Sequence, residues 1–297
     1  VPELPEVETV VRDVRPHLVG RRITRVELGR RQPLKTPPRK IVELLEDATV
    51  ESVERWGKNI VIRLQGGAWW LIHLGMSGRL AVSPASEARP PHTHGVFALD
   101  SGEYELRYSD PRMFGRIEVT RDIPARLKKL GPEPLEIAEA EFVEGLRARR
   151  TRVKALLLDQ SFVRGVGNIY ADESLFRAML DPRTVGARVK PDRAAALHRE
   201  LQAVLREAIE SKGSSVRTYL YGGGESGNYQ YEHLVYGRAG EPCTRCGIVL
   251  KTGVVAGRTT VWCGKCVKAN GEIKNQKSKG KSQKLKSKSR KAREAAA

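Results

Sequence analysis

The feature that most constrains this chain is a change of period. Up to about residue 120, apolar residues fall in short strings at strand spacing: ITRVEL, ATVESVERW, NIVIRL, WWLIHL, GVFAL, YELRYSD and GRIEV, separated by turn residues. So many short strands in about 100 residues predict a β-sandwich or barrel. After GPEPLE at 131–136 the spacing becomes helical, in EFVEGLRARR, RVKALLLDQ, NIYADESLFRAML and RAAALHRELQAVLREAIESK. A further helix is expected at 6–18, where Val7, Val10, Val11, Val14 and Leu18 share one face, with Glu6 and Glu8 in the first turn where the helix dipole favours acids. The expected class is α+β with two domains: an N-terminal β-sandwich with a flanking N-terminal helix, then a helical domain.

Composition refines this. All four cysteines fall in one segment, as CTRC at 243–246 and CGKC at 263–266, with sixteen residues between the pairs. Cys243, Cys246, Cys263 and Cys266 suit one tetrahedral, structural zinc ion held by two knuckles on a hairpin. Two disulfides or a redox pair are the competing reading, which suits an intracellular chain poorly. The formal net charge is +18, of which residues 271–297 contribute +8. The folded part is therefore also basic, which points to a polyanion, most often nucleic acid. No apolar stretch approaches the roughly 18–20 residues of a membrane span, and the start carries no basic-then-apolar leader. A cytoplasmic, monomeric protein without a membrane partner is expected. The expected divisions are 1–130 (β-sandwich), 131–230 (helical), 233–267 (zinc hairpin) and 270–297 (a disordered Lys-rich tail). SKGSSVRTYLYGGGESGNYQYEH at 211–233 is expected to be a mobile loop.

Three separated strings, PELPEVET at the start, GVGNIYADE at 165–173 and the CxxC hairpin carrying AGRTTVWC, resemble the bacterial formamidopyrimidine-DNA glycosylase family. HLGMSG, SDPRMFG and LGPEPL follow the same family order, and the resemblance runs from Pro2 to about Cys266. It implies a helix–two-turns–helix motif in the second domain, damaged double-stranded DNA between the domains, and removal of oxidised purines followed by β,δ-elimination. It further implies a set of roles. Pro2, as an amino-terminal secondary amine, would be the nucleophile and Glu3 the general acid/base, with Glu6 as a supporting member. Lys58 in RWGKNIVIRL would assist β-elimination, and Arg258 in AGRTTVWC would grip phosphates and aid δ-elimination. Asn168, Lys154, Arg149 and His92 would contact DNA. Met76, Arg112 and Phe114 would fill the gap left by a flipped base, although without the resemblance Met76 and Phe114 read as core residues.

The Gly165–Gly167 turn and the helix start after it are expected to face a phosphate. Val1, as written, acylates Pro2; the expectation is a GUG initiator read literally, its methionine being removed in the cell. The segment at 214–231 departs from the family's commoner loop, which leaves lesion preference open. An endonuclease VIII-like enzyme for oxidised pyrimidines is the nearest alternative. A non-catalytic zinc DNA-binding protein is the alternative of another class.

Overall fold

The computed structural model describes residues 2–30, 33–214 and 227–267. The basic tail, Val1 and most of the Gly- and Tyr-rich segment lie outside the described residues, and with them the expectations of disorder and of a mobile loop.

Helix α1 (Leu4–Leu18) opens the chain and is followed by β1 (Ile23–Leu28), α2 (Pro38–Leu45), β2 (Val50–Trp56), β3 (Asn59–Leu64), β4 (Trp69–His73), β5 (Arg79–Pro84), β6 (Thr93–Leu99), β7 (Tyr104–Ser109) and β8 (Arg116–Thr120). The strands form two antiparallel sheets, ordered β1-β6-β7-β5 and β2-β3-β4-β8. Both contribute to one core. Val26, Phe97, Leu106 and Tyr108 from the first sheet pack with Ile60, Ile62, Trp70 and Ile117 from the second, and Val7, Val10, Val11 and Val14 of α1 close it. The rings of Trp70 and Phe97 lie 4.4 Å apart across the interior. Burial of each such side chain stabilises by about 1.5–3 kcal/mol, so the sandwich is set by its apolar alternation. NIVIRL is apolar on both faces because Val61 packs outward, with Leu71, against Leu127 of α3 (Ala125–Lys128). Three elements were not anticipated, α2, α3 and β5.

The helical part comprises α4 (Glu139–Arg147), α5 (Val153–Leu158), α6 (Asn168–Arg177) and α7 (Pro191–Glu210), around a second core. Leu4, the first residue of α1, belongs to this second core rather than to the sandwich. A third, small cluster of Phe176, Val235, Leu250 and Val261 seats the C-terminal hairpin, β9 (Lys251–Val255) and β10 (Arg258–Trp262). Across the domain boundary, Arg55 of β2 binds Glu133 through two nitrogens, at 2.9 and 3.1 Å, and Glu8 of α1 at 2.9 Å. Arg164 adds a 3.1 Å bond to the same Glu133. No helix among the described residues is long and apolar enough to cross a membrane.

Candidate active site and nucleic-acid interface

Pro2 and Glu3 are buried just ahead of α1. The Glu3 N–H donates to Glu6 Oε2 at 2.8 Å, and the next amide, Leu4 N–H, donates to Gly165 O at 3.0 Å. The Glu3 carboxylate then turns across the domain boundary to the start of α6, where Ile169 N–H donates to Oε1 at 3.0 Å and Tyr170 N–H to Oε2 at 3.4 Å. Two of the free amides at this helix start are thus taken by the chain's own carboxylate, which also lies at the positive end of the helix dipole. Gly167 is required there: a Cβ on it would lie 2.3 Å from Glu3 Cδ and 2.7 Å from Lys58 Nζ. Glu3 and Lys58 thus press against one face of Gly167. Lys58 reaches it from the tight turn between β2 and β3, where Gly57 takes a φ of +61°. Burial pulls the Lys58 ammonium below the ordinary lysine value and Arg258 adds to this, against the attraction of Glu3 and Glu6.

Beneath this pair lies a polar chain that sequence reasoning missed apart from Glu6. Glu6 Oε1 accepts the Tyr170 hydroxyl in a short contact and the Ser214 N–H at 2.7 Å. The Ser214 hydroxyl in turn meets His233 Nε2 at 3.0 Å. Burial raises the Glu6 carboxyl above its ordinary value, with the charge of Glu3 adding to it. The signal in the sequence was thin: a serine and a histidine flank the Gly-rich segment, and neither carries a motif.

The hairpin end is built on sulfur. The four Sγ atoms of Cys243, Cys246, Cys263 and Cys266 all lie within 4.8 Å of one another, with Cys246 to Cys263 at 3.4 Å and Cys243 to Cys266 at 3.9 Å. Zn–S bonds of about 2.3 Å place tetrahedral thiolates about 3.8 Å apart, so the set fits one zinc ion with no open position. Backbone N–H groups of Cys266 and Lys265 draw the Cys263 thiol down to about 7 against the effect of burial. Arg258 stands exposed at the start of β10, directly after the turn at Ala256 and Gly257.

Lys154 and Asn168 were expected among the DNA contacts. The structure instead buries the Lys154 ammonium completely, 2.6 Å from Asp172 Oδ1 and 2.7 Å from the Thr260 hydroxyl. Asn168 Nδ2 donates to Thr259 O at 2.9 Å. Lys154 therefore holds β10 rather than facing DNA, buried beside Asp172, whereas Asn168, half-buried, adds one bond to the same strand. Asp172 also accepts Val261 N–H at 3.2 Å. Its neighbour Glu173 takes three successive amides, of Leu234, Val235 and Tyr236, at 2.7–2.9 Å. One helix, α6, thus fixes Glu3, the hairpin and the segment leading to it.

The remaining expected residues lie on loops. Met76 and Phe114 are 38% and 57% exposed, so the core reading of these two is corrected. The Arg112 guanidinium stacks over the Phe114 ring at 4.8 Å. His92 is exposed in left-handed backbone, with φ of 62°. Arg149 is half-buried, donating to Gly145 O at 2.5 Å and lying 4.9 Å over the Phe162 ring.

A sandwich joined through its first helix to a helical domain, with an acid, a lysine and a hairpin arginine drawn together at that junction, has the build of a two-domain, zinc-hairpin DNA glycosylase. Family models agree along the chain: the formamidopyrimidine-DNA glycosylase N-terminal domain at 1–117, its H2TH domain at 130–220, and the zinc finger found in FPG and IleRS at 240–269. The formamidopyrimidine-DNA glycosylase of Solibacter usitatus is 44% identical over 269 residues, which are 90% of this chain and all of the relative. That of Geobacillus kaustophilus is 44% identical over 274 residues, 90% of this chain and 99% of the relative. The crystal structure of the MutM (Fpg) protein from Thermus thermophilus superposes with a TM-score of 0.80 at 38% identity, covering 91% of this chain and 100% of that one. The Lactococcus lactis Fpg in complex with abasic-site DNA gives 0.82 at 34%, covering 90% and 99%. The chain belongs to the formamidopyrimidine-DNA glycosylase family.

Proposed function

We propose that this chain is a bifunctional DNA glycosylase and AP lyase that removes oxidised purines, 8-oxoguanine and formamidopyrimidines, from duplex DNA. The names of its relatives support the substrate class, and a neighbouring structure with abasic-site DNA supports the partner. The observation that carries the reading is the meeting of Glu3 and Lys58 on Gly167, with the Arg258 charge close enough to act on Lys58.

In this reading Pro2, freed of Val1, presents a secondary amine. Its lone pair attacks C1′, the glycosidic bond breaks, and the base leaves with the bonding pair and takes up the proton that the attacking nitrogen sheds. Glu3 gives a proton to the ring oxygen as the sugar opens. The resulting iminium carries no N–H, stays cationic and draws electrons toward nitrogen. Lys58, with its pKa lowered by burial, is suited to take the C2′ proton as the 3′ phosphate departs. Loss of the C4′ proton then expels the 5′ phosphate, with the Arg258 guanidinium against its charge. Zinc, when bound, supplies a fixed hairpin and no reacting position.

Reaching the base requires flipping it from the stack. Met76 and Phe114 would enter the gap and Arg112 would bond the orphaned base. His92, Arg149 and Asn168 would contact phosphates, whereas Lys154 acts through β10. The working divisions are 1–130, 131–230 and 233–267, in a monomer acting in the cytoplasm. Borohydride trapping on an abasic-site duplex, with peptide mapping of the adduct, tests the reading: the sugar is expected on Pro2. A link elsewhere, or none in active protein, overturns it. Excision of thymine glycol in preference to 8-oxoguanine would favour the pyrimidine enzyme.

A further inference from the structure

Asp110, at the end of β7, has no role in the chemistry above and is fully buried. Its carboxylate collects four neutral donors. Oδ1 accepts the Ser77 hydroxyl at 2.6 Å and the Arg112 N–H at 3.3 Å. Oδ2 accepts the Gly115 N–H at 2.8 Å and the Tyr108 hydroxyl at 3.2 Å. Its main chain is equally engaged. Asp110 N–H donates to His92 O at 3.0 Å, while its carbonyl accepts Met113 N–H at 3.2 Å and lies 3.1 Å from His94 Nε2.

Apart from Tyr108 of β7 and His94 of β6, these partners belong to three loops that carry the side chains proposed to face DNA: 74–78 with Met76, 111–115 with Arg112 and Phe114, and the one ending at His92. Two further observations show that the loops are joined. His92 and Met113 both hold left-handed backbone, at φ of 62° and 54°, which residues with side chains keep only where they are held. The first and second loops also touch backbone to backbone. A Cβ on Gly75 would fall 2.5 Å from Gly115 N, and one on Gly115 would fall 1.8 Å from the Tyr108 hydroxyl oxygen.

We propose that Asp110 is a positioning residue that fixes Met76, Arg112, Phe114 and His92 as one rigid wedge, and so sets discrimination of the base opposite the lesion. The inference rests on the glycosylase reading above. A loop that moved alone would let Arg112 bond any orphaned base. Locked to Met76 and Phe114, it meets that base in one geometry, and only the base whose edge matches is accepted.

The test compares wild type with Asp110→Asn, Ser77→Ala and Tyr108→Phe. Asn keeps an acceptor for Ser77 and Arg112 but turns an amide N–H₂ against the Gly115 N–H. Ser77→Ala removes the hydroxyl that donates to Asp110 and accepts the Arg112 N–H at 3.3 Å, so it loosens the Met76 loop and its link to Arg112 while the Gly115 bond stays. Tyr108→Phe removes one donor from the same carboxylate, beside Gly115, and leaves the Ser77, Arg112 and Gly115 bonds to it in place. Single-turnover excision of 8-oxoguanine is measured opposite dC and opposite dA, with borohydride trapping on a single-stranded abasic oligonucleotide, where no gap exists to fill. Asp110→Asn is expected to slow duplex excision about tenfold or more and to shrink the dC-to-dA ratio at least about threefold, with trapping within about twofold of wild type. Ser77→Ala shrinks the ratio less, and Tyr108→Phe leaves it unchanged. A folded Asp110→Asn protein with the wild-type ratio overturns the assignment, as does a Tyr108→Phe protein that matches it. If Asp110→Asn does not fold, Ser77→Ala decides, and an unchanged ratio there overturns the assignment. Absence of any wild-type adduct brings down the enzymatic reading instead.

Discussion

Lys154 Nζ lies 2.6 Å from Asp172 Oδ1, and both side chains are sealed from water. Removing one partner strands the other charge, at a cost of about 3–5 kcal/mol. Lys154→Ala is therefore expected to lower unfolding free energy by about 3 kcal/mol in urea titration. Lys154→Met combined with Asp172→Asn, which leaves no charge behind, should recover at least about half of that loss. Equal losses in the single and double variants would show that the pair is not what holds β10.

The zinc hairpin predicts a separation of activities. Arg258→Ala is expected to leave borohydride trapping intact while cleavage stops after β-elimination, read as a change in the 3′ end on a sequencing gel. Chelation of zinc should give the same product pattern, because the small cluster around Phe176 and Val261 is apart from the two main cores. Chelation that abolished trapping as well would place zinc in the stability of the whole molecule.

His233 predicts acid sensitivity. Burial holds its imidazole at about 4, below the ordinary 6.5. Between those values the unfolded chain binds a proton that the folded chain refuses, so stability is fully present above pH 6.5 and falls as pH drops toward 4. The loss from this one group is on the order of 3 kcal/mol. His73 is held at about 4 in the same way, by burial and then by Arg116. His233→Gln should remove about half of the slope of urea midpoint against pH. An unaltered slope would assign the acid lability elsewhere.

Glu133 ties Arg55 to Arg164 across the domain boundary, with 6% of its side chain exposed. Glu133→Gln keeps the shape and removes the charge. It is expected to destabilise by about 2–4 kcal/mol, and to raise susceptibility to proteolysis between residues 121 and 131. Unchanged cleavage there would mean that the domain junction does not depend on this carboxylate.

Much of the fold was legible because period alone separates strands from helices. What was missed had weak or ambiguous local signals. Helix α2 begins at Pro37–Pro38, a pair that reads as a loop, although proline suits a helix's first turn. Strand β5 ends in Pro84 and has only one fully buried side chain, Leu80. At the site, the chemistry was visible in motifs but the pairing was not. Lys154 reads as a phosphate ligand until the fold brings Asp172, on another helix, beside it. Asp172 and Glu173 offered a faint signal, two acids set between apolar Ile169, Tyr170, Ala171, Leu175 and Phe176, where only partnered charges survive burial. Met76 and Phe114 show the reverse: hydropathy argues for the interior, and only the loop geometry sets them outside.

Leu4 sits in the helical core while Val7 and the valines after it sit in the sandwich core. Residues that precede the sandwich in the chain therefore complete their surroundings only after it. A nascent chain carrying only the β half has Pro2 and Glu3 but lacks Gly165, Gly167, Ile169 and Tyr170, the groups that seat them. In the proposed chemistry this end stays unseated until the later helices leave the ribosome, so an unfinished copy would not open a sugar and nick DNA.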